Sequence, residues 1–89
     1  MAVRRSPNVI HEVVDDRAML VSPDGAELIS LNAVGTMVWE LLERAGDAGE
    51  IAAQLHAHFD DITQSELERD IQVFLDSLRE QGLVQKTDA

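Results

Sequence analysis

The spacing of the apolar residues changes once along this chain, near Asn32, and that change limits the folds open to it. Before Asn32 the apolar residues come in short runs separated by turn-forming residues: NVIHEVV, RAMLVS and AELISL. After Asn32 they recur every three or four residues, which is the spacing of one helix face. The sequence therefore predicts an α+β protein in which three short strands precede three helices.

Turn and capping residues punctuate both halves. Asp15–Asp16 and the sequence SPDG, residues 22–25, separate the three runs, so the strands are predicted to form an antiparallel sheet. Asn32 is placed to cap the first helix and Gly46 to end it. Residues 47–50 and 63–66 resemble capping boxes for two further helices, and Gly82 ends the last one. The following residues are predicted to face the core from the third helix and the segment after it: Leu67, Ile71, Phe74, Leu75, Leu78, Leu83 and Val84.

The length of 89 residues permits one small core and excludes two. We predict a single domain over 1–89 with an ordered core of about 9–84, and loose ends at the first few residues and at the tail QKTDA. Three strands followed by three helices resemble a winged helix-turn-helix in content. This resemblance makes DNA binding the first function to consider.

Charge argues against DNA binding. The formal net charge is −10, from 17 acidic and 7 basic residues. The third helix, which would enter a DNA groove, has five acidic residues between Thr63 and Gln81 against Arg69 and Arg79. Binding to phosphates requires Lys and Arg facing the backbone, so we expect no nucleic-acid partner. A winged-helix transcriptional regulator is kept as an alternative that a gel shift at low salt would test.

Catalytic and metal-binding signatures are missing from the sequence. There is no Cys, and His56 and His58 are two residues apart, which turns them to different sides of a regular helix. The pairs Asp15–Asp16 and Asp60–Asp61 are assigned to turns and caps. We expect no enzyme activity, no cofactor and no metal. No apolar run approaches the ~20 residues of a membrane span, and a cytoplasmic protein without a membrane partner is predicted.

The third predicted strand, Ala26–Leu31, raises a question of function. Its neighbours Leu28 and Ile29 are both large and apolar, and they face opposite sides of the sheet. One belongs to the core, and the other is covered either by the chain's own third helix or termini, or by a partner. A strand at the sheet edge beside the third helix would offer free backbone groups and an apolar groove, which suits capture of an extended peptide.

The segments LNAVGTMVWELLERAG, EIAAQLHAHF and ERDIQVFLDSLREQGLV together resemble the PqqD-like family. These RiPP recognition elements bind leader peptides of ribosomally made, modified peptides, and the resemblance runs from about Val9 to Val84. It implies a domain whose third strand pairs with a precursor's leader peptide while leader side chains settle against the third helix. The matching positions are Glu27, Leu28, Ile29, Ser30 and Leu31 on the strand, with Asp70, Val73, Phe74 and Ser77 on the helix.

Within that family the chain is most similar to the stand-alone proteins of lasso-peptide biosynthesis, because Gly35 and Trp39 follow Leu31–Asn32. Those proteins present the leader to a separate leader peptidase. The alternative is the pyrroloquinoline quinone peptide chaperone, which serves a radical SAM enzyme, although SPDG departs from the PEG typical of that branch. The expected partners are therefore a precursor leader peptide and a leader peptidase or other tailoring enzyme.

The roles of the strand residues follow from backbone chemistry. The backbone of Glu27 to Leu31 would supply hydrogen bonds that tolerate many leader sequences. Leu28 or Ile29, together with Val73 and Phe74, would form the pocket that selects apolar leader side chains. Alternate residues of a strand point their N–H and C=O groups to opposite edges, and the sequence leaves open which set faces the peptide.

Three further residues have competing interpretations. Asp70 either accepts a hydrogen bond from the leader or pairs with Arg69 or Arg79. Trp39 lies in the apolar stripe of the first helix and is assigned to the core. Gly35 costs a helix roughly 1 kcal/mol relative to Ala, which indicates a close approach of another backbone.

Overall fold

The computed structural model describes residues 2–44 and 46–87, and it has the predicted α+β architecture. Three strands precede three helices as expected, and one further short strand lies at each end of the chain. The elements are β1 (Val3–Arg5), β2 (Ile10–Val14), β3 (Arg17–Val21), β4 (Leu28–Ser30), α1 (Ala33–Leu41), α2 (Ala48–Leu55), a 3₁₀ turn (His56–His58), α3 (Gln64–Glu80) and β5 (Val84–Lys86).

The predicted antiparallel sheet is present, with the strand order β2-β3-β4. Asp15 and Asp16 form the two-residue connection between β2 and β3, with φ of 53° and 64°. Two successive positive φ values are the requirement of a type I′ hairpin turn, which aspartate tolerates better than most residues. The Asp15–Asp16 pair is therefore accounted for by the hairpin.

A network of hydrogen bonds around Ser22 and Asp24 holds the turn that leads into β4. The N–H of Gly25 donates to the Ser22 carbonyl, and Gly25 has a φ of +74°. The carboxylate of Asp24 accepts from the Ser22 hydroxyl and from the Ala26 N–H, and both bonds hold its pKa below the ordinary value. The Glu27 N–H donates to the Ser22 hydroxyl oxygen at 3.1 Å, so the turn fixes the start of β4.

The caps predicted from the sequence are present at all three helices. Asn32 accepts the Gly35 N–H, Asp47 accepts the Glu50 N–H, and Thr63 accepts the Glu66 N–H through their side chains. These bonds fix where α1, α2 and α3 begin.

The end of α3 is a Schellman motif. Gly82 has a φ of +78°, its N–H donates to the Arg79 carbonyl, and the N–H of Leu83 donates to the Leu78 carbonyl. Leu78 and Leu83 are both buried, so the motif also brings two apolar side chains into the core. The prediction that residues 83 and 84 fold back on the core is confirmed.

Trp39 is the largest side chain of the core, with 1% of its surface exposed. The guanidinium of Arg5 lies 4.7 Å from the centre of its ring and donates to the Trp39 carbonyl near the end of α1. The His11 ring meets the indole edge to face, with 5.9 Å between centroids.

Across the described ranges, no helix has both the length and the apolar character needed to cross a membrane.

Two boundaries differ from the prediction. α1 ends at Leu41 and not at Gly46; Gly46 instead pairs with β1, exchanging backbone hydrogen bonds with Val3 at 2.8 and 2.9 Å. The second difference is at the ends of the chain, where β1 pairs with β5 in a second antiparallel sheet. Paired strand residues therefore lie outside the range 9–84 at both ends, while Asp88 and Ala89 of the tail lie outside the described residues.

Candidate functional site

β4 is an outer strand of the three-stranded sheet. Two backbone hydrogen bonds bracket its pairing with β3. The Ser22 N–H donates to the Glu27 carbonyl at 3.0 Å, and the Leu31 N–H donates to the Ala18 carbonyl at 2.8 Å. These two bonds fix the direction of every backbone group between them.

In an antiparallel ladder, residues bonded to the neighbouring strand alternate with residues whose backbone groups point away. Glu27, Ile29 and Leu31 are therefore the residues that bond inward to β3. Leu28 and Ser30 direct their N–H and C=O groups to the free edge. The structure thus shows which set of backbone groups points to the free edge of the sheet, a choice that the sequence left open.

The side chains of β4 alternate between two faces. Ile29 lies opposite the buried Leu20 and packs against the core, half-buried. Leu28 lies on the other face, with 67% of its surface exposed. Neither the third helix nor the terminal strands cover Leu28. Of the two neighbouring apolar residues, Ile29 therefore belongs to the core and Leu28 faces solvent.

The regular ladder ends beside Leu31 because side chains take over its hydrogen bonds. The Ala18 N–H donates to the buried hydroxyl oxygen of Thr36 at 2.8 Å, and the Arg17 Nε donates to the Leu31 carbonyl at 3.1 Å. The chain then turns at Asn32 into α1. This exchange ties α1 to β3, and a space lies between β4 and α3.

That space is a groove of about 660 Å³. Its walls are the end of β4 with the start of α1 on one side and α3 on the other, and the loop before α3 contributes to the lining. The lining is mostly apolar: Leu31, Val34, Gly35, Val38, Phe59, Ile62, Leu67, Ile71 and Phe74, with the polar residues Ser30, Asn32, Asp61, Glu66 and Asp70. An apolar groove beside a free strand edge can receive alternate side chains of an added strand.

Three carboxylates give the groove a negative rim. Asp61, Glu66 and Asp70 are exposed and line the groove. Within the described residues the one ion pair closer than 4 Å joins Arg79 to Asp76 at 3.9 Å, and it is exposed. Asp70 is therefore not held by Arg69 or Arg79, which leaves its carboxylate available to a ligand.

Phe74 lies against Gly35 in the lining of the groove. A Cβ atom on Gly35 would lie 3.2 Å from Cζ of Phe74, 3.2 Å from Oδ1 of Asn32 and 3.4 Å from Cβ of Leu31. The close approach predicted at Gly35 is real, but it is made by side chains and not by another backbone. The missing side chain lets the Phe74 ring lie against α1.

The predicted site residues divide into three groups. Ser30, Leu31, Asp70 and Phe74 line the groove together. Val73, 65% exposed, and Ser77 lie outside the lining, on the side of α3 that also carries Asp70. The remaining three belong to the strand and its approach, outside the groove lining: Glu27, Leu28 and Ile29.

Sequence reasoning missed the contribution of the loop between α2 and α3. Phe59 and Ile62 are half-buried and line the groove. Their signal in the sequence is two apolar residues inside the otherwise polar segment FDDIT. His56 holds this loop, with its Nε2 3.1 Å from the Ile62 carbonyl oxygen.

In the part of the chain described, no three His, Asp or Glu residues converge as a metal site.

Comparison with known proteins places this geometry in a family. Residues 17–84 match the family of Coenzyme PQQ synthesis protein D (PqqD). No curated protein sequence matches the chain significantly. Two solved structures share the fold. "TbiB1 in complex with the TbiA(beta) leader peptide" has a TM-score of 0.84 and 27% identity, covering 97% of this chain and 99% of that one.

The second structure is "Lasso peptide synthetase B1 complexed with the leader peptide". Its TM-score is 0.77 at 24% identity, with 94% of this chain and 98% of that chain covered. At this identity the likeness supports the fold, and the family match over 17–84 carries the assignment. The chain belongs to the PqqD family of RiPP recognition elements.

Proposed function

We propose that this protein binds the leader peptide of a ribosomally made precursor by strand addition to the free edge of β4. It would then present the leader to a leader peptidase or other tailoring enzyme in lasso-peptide biosynthesis. The observation that carries the proposal is the unpaired edge at Leu28 and Ser30 beside the open apolar groove. The likeness to a structure solved with a leader peptide supports it.

In this proposal the protein is an adaptor and not an enzyme. It acts in the cytoplasm as a single domain, residues 1–89. Backbone groups of β4 supply affinity, and the groove selects apolar leader side chains. The leader would run along the side of α3 that carries Asp70, Val73, Phe74 and Ser77. The acidic surface of α3 argues against DNA as a ligand.

The family match favours one further candidate, a peptide chaperone of pyrroloquinoline quinone biosynthesis. That protein would use the same edge and groove with a different precursor. The two candidates differ in the peptide, so the gene neighbourhood and a direct comparison of the two leaders separate them.

The proposal is tested by titrating a fluorescein-labelled leader with the protein and recording fluorescence anisotropy. The leader is taken from the precursor encoded beside this protein's gene, and a peptide of scrambled sequence is the control. We expect saturable binding of the leader and none of the scrambled peptide. A leader that fails to bind, or binds no better than the scrambled control, would rule out the proposed function.

Salt is expected to slow association more than it weakens affinity. The net charge of −10 and the carboxylates along the groove attract a leader that carries Lys or Arg, and this attraction is screened within ~10 Å at about 0.1 M salt. Apolar contacts in the groove are not screened. Raising salt from about 0.05 to 0.5 M should lower the association rate by roughly tenfold and raise Kd by less.

Stopped-flow anisotropy measures the rate, and equilibrium titration measures Kd. A leader variant in which Lys and Arg are replaced by Gln should lose most of the salt dependence of the rate. Near-complete loss of affinity at about 0.5 M salt would show that charge, and not the groove, holds the peptide.

A further inference from the structure

The outer face of the three-stranded sheet carries an apolar row that ends at the β4 edge. Ile10 is the register partner of Val21, and Val21 is the register partner of Leu28. Residues directly opposite each other in a sheet have their side chains on the same face. The three side chains therefore lie side by side across β2, β3 and β4.

This row is left uncovered by the described part of the chain. Ile10 and Leu28 are each 67% exposed, and Val21 between them is half-buried. The helices cover the opposite face, where Ala18 and Leu20 are fully buried. Apolar side chains aligned on an open sheet face form a continuous surface that a ligand can cover.

We propose that Leu28 is a second leader-reading subsite, at which an apolar leader side chain continues the row Ile10–Val21–Leu28 beyond the sheet edge. The inference rests on the proposed function. A strand added to β4 places one residue directly opposite Leu28, with its side chain on the same outer face. That side chain would lie beside Leu28 on the outer face, as Val21 does on the other side of Leu28.

The leader would then be read on both faces. Successive side chains of a strand alternate, so the leader residues next to the one opposite Leu28 turn towards the core face and the groove. At this point the leader is expected to carry two consecutive apolar residues, one for each face. The next outer-facing leader residue lies opposite Ser30, in a row with Met19 and Glu12, where a polar residue fits.

Charge favours the leader over a second copy of the protein as the occupant of this row. Glu12 lies on the same face one row away, and Asp24 and Glu27 are exposed near Leu28. Two copies, each with a net charge of −10, would bring these carboxylates together. The row is also continuous with the free β4 edge, where a leader strand would lie.

Leu28→Thr tests the subsite, and Ile10→Thr is the matched control at the far end of the same row. Thr is a good strand former, so both variants should keep the sheet. Titration with the labelled leader should give a Kd for Leu28→Thr about fivefold above wild type, the size of one strong cross-strand apolar pair. Ile10→Thr should bind as wild type does.

A threonine scan of the leader adds a second reading. At one apolar leader position, the threonine substitution should raise the Kd of wild type but not that of Leu28→Thr. At a leader position adjacent in sequence, the substitution should raise the Kd of wild type but not that of Phe74→Ala. Equal binding by Leu28→Thr and Ile10→Thr would overturn the subsite. The subsite would also be overturned if sedimentation showed that wild type is a dimer and that either variant is a monomer, because a second copy would then cover the row. Absence of leader binding by wild type would instead remove the proposed function itself.

Discussion

Replacing Phe74 by alanine is expected to abolish most leader binding while the domain stays folded. Phe74 is half-buried, lines the groove and lies against Gly35. Aromatic anchors in such positions typically contribute about 2 kcal/mol or more to binding, which corresponds to roughly a thirtyfold rise in Kd. Because the ring is at the margin of the core, its loss should cost less stability than that of a fully buried side chain.

The adjacent residue supplies the matched control. Leu75 is 2% exposed and faces the core, so Leu75→Ala should lower the free energy of unfolding by about 2 to 5 kcal/mol. That corresponds to a fall in Tm of at least about 10 °C for a domain of this size. Circular dichroism measures Tm and anisotropy measures Kd. If Phe74→Ala binds the leader as wild type does, the groove is not the leader site.

Proline substitutions in β4 are expected to separate binding from folding. Proline lacks an N–H group, so Ser30→Pro removes a donor from the free edge, and its ring obstructs an added strand. Ile29→Pro removes a donor that bonds inward, leaving the carbonyl of the buried Leu20 without its partner at a cost of about 1 to 3 kcal/mol. Ser30→Pro should therefore fold and fail to bind, whereas Ile29→Pro should lose stability.

Leu28→Pro belongs with Ser30→Pro because Leu28 has the same parity. The three variants are compared by circular dichroism for the fold and by leader titration for binding. Two classes are expected, and not a graded series. A folded Ser30→Pro variant that binds the leader with wild-type affinity would remove β4 as the docking edge.

The parts of the fold that the sequence predicts are those with local causes. Asn32, Asp47 and Thr63 cap the helices through bonds to residues three positions away. Gly82, which ends α3, lies two positions after the last residue of that helix. Such contacts depend on neighbours in sequence and leave a readable pattern. The hairpin at Asp15–Asp16 is readable for the same reason.

The parts that the sequence missed depend on distant residues. β1 pairs with β5 across almost the whole chain, and strands of three residues are too short for a period to show. Gly46 reads as a helix end, yet its role is set by Val3. Strand parity in β4 likewise depends on bonds to β3, and Phe59 and Ile62 reach the groove only after the loop has folded. The site is therefore predictable as a strand and a helix, but not as a lined groove.

Amide hydrogen exchange at single-residue resolution, with and without the leader, tests strand addition at β4 most directly. The amides of Leu28 and Ser30 point to the free edge and should exchange quickly in the free protein, whereas those of Ile29 and Leu31 bond inward and should already be protected. Saturating leader should slow exchange at Leu28 and Ser30 by at least about tenfold. Leader binding that leaves both of these amides exchanging at their free rates would contradict the account.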